Sequence, residues 1–513
     1  MDATTPSTSS MLTSALLPGR DPADDREVMV FDETLSRYAG EFGPWQLRQF
    51  LLASLGMVVY AFHTLVMIFA DREPAGVVCQ CASEAGPGSW EWVGGRGAST
   101  VAEWGLVCGE RFKIGLVQSV FFAGCMIGCG LFGHLSDSFL GRKGTLTTLC
   151  VMGTIFGSLT AASPSYIAYV ALRFLTGVSA GAMAPCSFVL ATEPIGPRCR
   201  AAAGMSIFYF FSVGIVVLSA LAYFIPSWRV LYLVSSLPAL LFLLLVLPFV
   251  SESPRWHLVR GNHGKAMAIV RSIAERNGRR LPGDDKLTLV LDSGTSQRSN
   301  APSPNATIID VFRSPTTRWR LVTAVATNFL CAIVYYGVSL NVTNLSTSVY
   351  ISTAANAVAE VPGYALTALF LDRLGRRPLL VGTMWLSGGF CVVGSFLGSE
   401  GWGRTACSMF GIFGMAAAFN LLLIYAAELF PTVVRNEALG CLQQALQTGA
   451  IAAPIAVTAG GRAAFAVFGA CGVAGGLLAF FLPETLGRQL YDTMEGMEEG
   501  EKWEGKEARE QLN

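Results

Sequence analysis

Apolar residues in this chain come in long unbroken blocks, not in the stripes of period 3.6 or 2 that mark half-buried helices and strands. About twelve blocks approach spanning length, at roughly 47–70, 114–134, 145–162, 166–190, 202–224, 229–250, 321–343, 350–371, 379–398, 405–427, 437–458 and 463–482. At about 1.5 Å per residue, roughly 20 helical residues cross the ~30 Å hydrocarbon layer. In lipid the backbone must satisfy its own polar groups, so segments of this length form helices; barrel strands would be half as long and would alternate. The pattern predicts an all-α polytopic membrane protein with twelve transmembrane helices. Composition agrees, with 52% hydrophobic and 14% charged residues among 513 and a mean hydropathy of +0.49.

The net charge is zero, but the charges are segregated by loop. Arg142 and Lys143, Arg198 and Arg200, Arg373, Arg376 and Arg377, and Arg435 fall in one set of short loops. The opposite short loops carry only Arg229, Arg404 and Arg462. By the positive-inside rule the basic set is cytoplasmic. Both termini then lie on that side, and 71–113 is the large outer loop. Residues 1–46 form a polar N-terminal tail without a cleavable signal pattern. The expected organisation is a six-helix bundle over 47–250, a cytoplasmic helical and linker loop over 251–320, a second six-helix bundle over 321–482 and a tail over 483–513. In the loop, Arg255–Asn277 has helical spacing with Trp256, Val259, Ala266, Ile269, Val270 and Ile273 on one side. The Ser-, Asp-, Gly- and Pro-rich stretch Gly283–Pro304 reads as a linker.

The two halves repeat. G-H-L-S-D-S-F-L-G-R-K (Gly133–Lys143) follows the second block, and L-F-L-D-R-L-G-R-R (Leu369–Arg377) follows the eighth. The aspartates are 372 − 137 = 235 residues apart. Two copies of such a motif after matched helices mark an alternating-access transporter.

Glu360 stands near the middle of the eighth block. A charge there costs several kcal/mol unless it faces a cavity or partner. Thr353, Asn356, Glu360, Tyr364 and Thr367 follow at steps of 3, 4, 4 and 3, which places a polar stripe on one helix face. Such a stripe faces protein or water. The plain alternative is a glutamate hydrogen-bonded between helices.

Four further segments carry a family resemblance: R-F-L-T-G-V-S-A-G with A-T-E-P-I-G-P-R (Arg173–Gly181, Ala191–Arg198), S-E-S-P-R-W (Ser251–Trp256), A-E-L-F-P-T-V-V-R-N (Ala427–Asn436) and L-P-E-T-L-G (Leu482–Gly487). Over about 45–487 the chain resembles the major facilitator superfamily, and more narrowly the organic cation, organic anion and carnitine transporters. The extra residue in D-S-F-L-G-R-K and the outer loop of about 40 residues are similar to the plant-type branch.

The resemblance implies roles. Gly133, Asp137, Gly141, Arg142 and Lys143, with Asp372, Gly375, Arg376 and Arg377, would form the cytoplasmic charge motifs that gate the carrier. Glu193, Arg198, Glu252, Arg255, Glu428 and Arg435 would complete the cluster between bundles and cytoplasmic helices. Glu360, in its Glu-x-Pro setting with Pro362, would line the central cavity. Tyr335, Tyr336, Phe208, Phe211, Phe419 and Asn420 fall at family cavity positions, where aromatic faces can hold a quaternary ammonium at about 0.5–2 kcal/mol each. Gln447 stands where cation carriers have an aspartate and anion carriers an arginine. Tyr60 occupies the place of a proton-carrying aspartate that would pair with Arg173, which puts proton coupling in doubt. His63, one turn beyond Tyr60, is the nearest titratable group. Glu360 and Arg173 together would suit a zwitterion.

No Walker sequence, metal-binding His/Cys cluster or catalytic triad context is visible, so neither enzyme chemistry nor a cofactor is expected. Most of the thirteen cysteines lie in apolar blocks; Cys79, Cys81 and Cys108 share the outer loop and could form one disulfide. The expected function is alternating-access transport of small organic cations or carnitine-like zwitterions, by uniport or exchange, in a monomer in the plasma membrane or, alternatively, the vacuolar membrane. The expected partners are that solute and membrane lipid, with no nucleic acid or nucleotide. The alternatives are a proton-coupled carrier of an organic anion such as nicotinate, a sugar-type carrier, and a non-transporting sensor or scaffold.

Overall fold

The computed structural model describes residues 27–73, 95–282, 287–290, 308–345, 347–398, 402–487 and 496–497. Twelve long helices carry the chain back and forth. They are α1 (Pro44–Ala70), α2 (Phe112–Leu135), α3 (Gly141–Ala161), α4 (Tyr166–Thr192), α5 (Pro197–Phe224), α6 (Trp228–Phe249), α7 (Pro315–Leu340), α8 (Val349–Leu374), α9 (Arg376–Phe396), α10 (Gly403–Leu429), α11 (Thr432–Thr458) and α12 (Gly461–Phe480). This is the major facilitator fold, and the twelve apolar blocks each correspond to one helix. Pro44, Pro197 and Pro315 sit in first turns, where the missing N–H costs nothing. Pro238, Pro362 and Pro454 lie inside α6, α8 and α11, and each leaves an intrahelical carbonyl unpaired.

Lipid tails are as apolar as leucine, so helix association relies on close packing by small residues. Glycines 124, 128, 177 and 181 let α2 and α4 touch along their backbones. A methyl added at Gly177 would fall 2.1 Å from the Phe121 carbonyl oxygen, and one at Gly128 2.1 Å from that of Val178. Gly388 and Gly472 do the same between α9 and α12. Helices α1–α6 and α7–α12 thus form two bundles, which meet chiefly where α5 lies on α8 and α2 on α11.

At the end of the bundles that bears the Asp-Gly-Arg motifs lies a small second core. Strand β1 (Glu27–Val30) pairs in parallel with β2 (Leu287–Val290), Val28 opposite Thr288. Helix His263–Arg276 buries Ala266, Val270, Ile273 and Ala274 against Phe31, Leu35, Ala39, Trp45 and Leu289. The linker reading of 283–304 is corrected at β2. Four strand-forming residues, L-T-L-V, escape notice inside a polar stretch because their pairing partner lies some 260 positions away. The expected apolar face of the 255–277 helices is also narrower: Val259 is exposed.

Asp32 ties this core to the first bundle. Its carboxylate accepts from Arg200 Nη2 at 2.8 Å and from Arg255. Burial pushes its pKa up, but the two arginines outweigh that and hold it below the usual carboxylate range. Asp32→Asn is expected to cost about 1–2 kcal/mol at pH 7, read as a lowered unfolding midpoint of the purified protein. A depressed folded pKa stabilises above the unfolded value of about 4 and is lost as pH falls through the folded one. The difference between wild type and variant should therefore shrink below about pH 4; a constant difference down to pH 2 would contradict the assignment.

Candidate functional site

Glu360 lies 1% exposed where α8 faces α5, between the bundles. Its Oε1 accepts from Tyr335 Oη at 3.0 Å. Its Oε2 accepts from Ser212 Oγ at 2.7 Å and from Tyr364 Oη at 3.1 Å. Tyr335 is on α7 and Tyr364 one turn along α8, while Ser212 reaches across from the other bundle on α5. A buried carboxylate is tolerable only with its lone pairs satisfied, and three hydroxyls do this without supplying any positive charge. The negative charge therefore stays available to a cation.

Aromatic rings close around it. Phe419 lies 5.0 Å from Tyr335, and Phe208 lies 5.7 Å from Tyr364 and 6.4 Å from Phe419, between ring centres. A second layer joins the bundles at Tyr60: its hydroxyl is 3.3 Å from that of Tyr336, and its ring is 5.6 Å from Phe211. Phe122 of α2 packs 4.8 Å from Tyr336. The structure thus brings together Glu360, Tyr335, Tyr336, Phe208, Phe211, Phe419 and Tyr60. Ser212, Tyr364 and Phe122 complete the shell, though only Tyr364 had a signal in the sequence, through its place in the polar stripe. Asn420 and Gln447 are buried, and Asn420 Nδ2 and Gln447 Oε1 have no hydrogen-bond partner.

Three residues expected at the cavity lie elsewhere. Asn356 donates to Ser408 Oγ at 3.1 Å, inside the second bundle. His63 points into the first bundle against α3, where a methyl added at Gly153 would fall 3.1 Å from its Nε2. Arg173 lies in the same interior: its guanidinium is 4.1 Å from the Phe121 ring centre and donates to the His63 carbonyl at 3.2 Å. Each helix turns a polar face inward, and for α1 and α4 inward means the bundle interior at these positions.

The charge motifs pair within bundles. Arg142 meets Asp137 at 2.7 Å and Glu193 at 3.7 Å; Arg376 meets Asp372 at 3.2 Å and Glu428 at 3.0 Å. Each motif glycine starts a helix at positive φ, 74° at Gly141 and 88° at Gly375. A carboxylate from the segment after each bundle caps that helix. Glu252 accepts from the backbone of Arg142 and Lys143, and Glu484 from that of Arg376 and Arg377. Burial raises the Glu484 pKa, but the backbone amides of Leu486, Arg376, Arg377 and Thr485 outweigh it and hold the group below the usual range. Arg255 pairs with Asp32, exposed Arg198 with Glu41 at 3.6 Å, and Arg435 donates to the Phe430 carbonyl. In the first half Glu193 lies close to Arg142, Arg255 and Glu252, and the N-terminal segment adds Asp32 and Glu41, acids that the motifs do not contain.

The bundles are joined at the opposite end. Ser219 Oγ donates to the Tyr350 carbonyl at 2.6 Å, Arg111 to Asn344 Oδ1 at 2.9 Å and Ser119 to the Ile451 carbonyl at 2.7 Å. Cys108, in the loop at this end, is disulfide-bonded; Cys79 and Cys81 lie outside the described residues.

Two six-helix bundles with a shared polar site and repeated charge motifs define a transporter of the major facilitator class. The chain belongs to the sugar (and other) transporter family, which it matches over residues 51–496. It is 54% identical over 504 residues to organic cation/carnitine transporter 4 of Arabidopsis thaliana, covering 96% of each chain. With the organic cation transporter protein of Drosophila melanogaster it shares 31% identity, over 91% of this chain and 94% of that one. The xylose transporter XylE from E. coli, in an inward-open conformation, superposes with a TM-score of 0.61 at 18% identity, over 86% of this chain and 98% of that one, a likeness of fold.

A methyl at Gly141 would meet Glu252 Oε2 at 2.3 Å on a left-handed backbone, whereas one at Gly133 meets nothing within 4 Å. Gly141→Ala is expected to cost about 1–3 kcal/mol, lowering the unfolding midpoint by several degrees. Gly133→Ala should leave it within about a degree. Equal effects of the two would refute the capping role.

Proposed function

We propose that the chain is an alternating-access carrier of small organic cations or carnitine-like zwitterions. The observation that carries this reading is a buried carboxylate, Glu360, shared between bundles, satisfied only by hydroxyls and ringed by aromatics. An ammonium group gains from both features, by Coulomb attraction in a water-poor site and by contact with ring faces. The organic cation and carnitine names of the relatives point the same way. The reading sets the charged-motif end in the cytoplasm with both termini, the 95–111 loop outside, and the protein in the plasma membrane. The bundles then form the 47–250 and 321–482 units, and gating follows from rocking one against the other. The anion reading loses support, because Arg173 is enclosed in the first bundle. For a zwitterion, the unpartnered Asn420 Nδ2 is a donor of the kind a carboxylate needs.

Labelled tetraethylammonium, carnitine and nicotinate should be offered to proteoliposomes with the potential clamped and a pH gradient on or off. Cation uptake should follow the potential and ignore the pH gradient. Glu360→Gln should reduce tetraethylammonium uptake at least tenfold and carnitine uptake by less. Unchanged uptake of both, or nicotinate uptake driven by protons alone, would overturn the reading.

A further inference from the structure

A second acid lies deep between helices, far from Glu360. Asp71 follows the last residue of α1, eleven residues beyond Tyr60 and so about 16 Å along the helix. It is 4% exposed. Its Oδ1 accepts from Thr100 Oγ1 and from Tyr169 Oη, both at 2.7 Å. Its Oδ2 has no hydrogen-bond partner. Tyr169 passes the chain on to Tyr232 at 2.7 Å, whose ring lies 5.5 Å from the Arg173 guanidinium. The helix α1 is in addition packed on α5, α6 and α4.

Asp71 lines a narrow cleft between the bundles with about 40 Å³ of free space, open to solvent at its mouth. Glu73, Arg111 and Gln118 line it from the first bundle and Asn344 and Thr458 from the second. Arg111 is engaged by Glu73 at 2.7 Å and by Asn344, and Arg72 by Tyr350. Asp71 lies near the Arg173 guanidinium and the Gln118 amide, yet one of its buried oxygens is left bare. A bare buried acceptor normally costs about 1–3 kcal/mol, more for a charged group. In this closed state the space is that of a bound water, and it grows only as the bundles part.

We propose that Asp71 forms a second cation-binding station, at the outer end of the interface between bundles, which takes a monovalent cation before it reaches Glu360. The inference rests on the carrier reading above. Rocking the bundles apart here breaks Arg111–Asn344 and widens the cleft, exposing the carboxylate to the outside. Closing it narrows the mouth to what is seen here and hands the cation inward. The chemistry is that of a single positive charge, an organic ammonium or an inorganic ion.

The site reports on itself. Trp104 lies 5.2 Å and Trp228 5.8 Å from the ring of Tyr169, which bonds Asp71. Full-length protein in detergent should change its tryptophan emission when titrated with tetramethylammonium chloride. Asp71→Asn should abolish the change or weaken the midpoint at least tenfold; Asp71→Glu, which keeps the charge, should retain it at a shifted midpoint and shows that loss in the amide variant is not misfolding. Glu360→Gln should retain it. A parallel titration with sodium or potassium chloride identifies the source: an equal response assigns the station to an inorganic ion, a weaker one to the solute. A full response in Asp71→Asn, or one lost in Glu360→Gln and kept in Asp71→Asn, would overturn the proposal. Failure of the carrier reading looks different, with the Asp71-dependent emission change intact and no cation uptake by any variant.

Discussion

The carboxylate of Glu360 is the constraint around which the membrane-embedded structure is arranged. Removing an ion from water costs several kcal/mol, and hydroxyls recover part of that. Here the donors come from both bundles, Ser212 on one side and Tyr335 and Tyr364 on the other. The charge therefore lies at the seam that must open and close. A salt bridge at this point would lock the seam, whereas single hydroxyl bonds of about 1 kcal/mol each do not. The aromatic shell excludes water and strengthens whatever polar contact forms inside it. On the proposed reading, an entering ammonium would replace the Ser212 bond while the charge remains compensated.

The rest of the polar design keeps each bundle rigid. Glu252 and Glu484 close the same gap in the two halves, each seated on the amides of a helix that begins with a left-handed glycine. The N-terminus of a helix carries partial positive charge, so a carboxylate is the natural cap. Arg142 and Arg376 then bind acids from their own bundle. Within each half, α2 and α4, or α9 and α12, approach to backbone contact through glycine. Side chains that bond inside a bundle leave the surface between bundles with weak, exchangeable contacts. Stiff bodies with a soft seam are what a rocking motion requires.

Much of this was legible in the sequence, and the failures have a common cause. Twelve spans, the repeat and Glu360 could be read because length, spacing and an expensive charge are local signals, whereas Tyr335 was reached only through the family resemblance. Ser212 had none, since serine is common in membrane helices and gains meaning only from what faces it. Asp71 looked like an ordinary loop acid at the end of an apolar block. Asp32 and the β1–β2 pair depend on contacts across 168 to 260 residues. Arg173 and His63 were directed to the cavity by the family resemblance and by the one-turn step from Tyr60, neither of which says which neighbour a side chain meets. In α1 and α4 the polar face is divided, with Tyr60 turned to the seam and His63, one turn on, to Gly153 and Gly157.

The place of Arg173 bears on selectivity. Its guanidinium is held by the faces of Phe121 and Tyr232 and by one carbonyl, within the first bundle. The charge is offset through Tyr232 and Tyr169 toward Asp71, not toward Glu360. The central site therefore contains a negative group with no fixed cation beside it. A simple ammonium meets its whole complement there. A zwitterion must place its carboxylate against neutral amides such as Asn420 and Gln447, which bind an anion less strongly than an arginine fork. The same scaffold with a cation at position 447 would favour anions, because the rings and the hydroxyl cage do not themselves choose a sign. On the proposed reading, discrimination between substrate classes would rest on a few uncharged positions around one charged one.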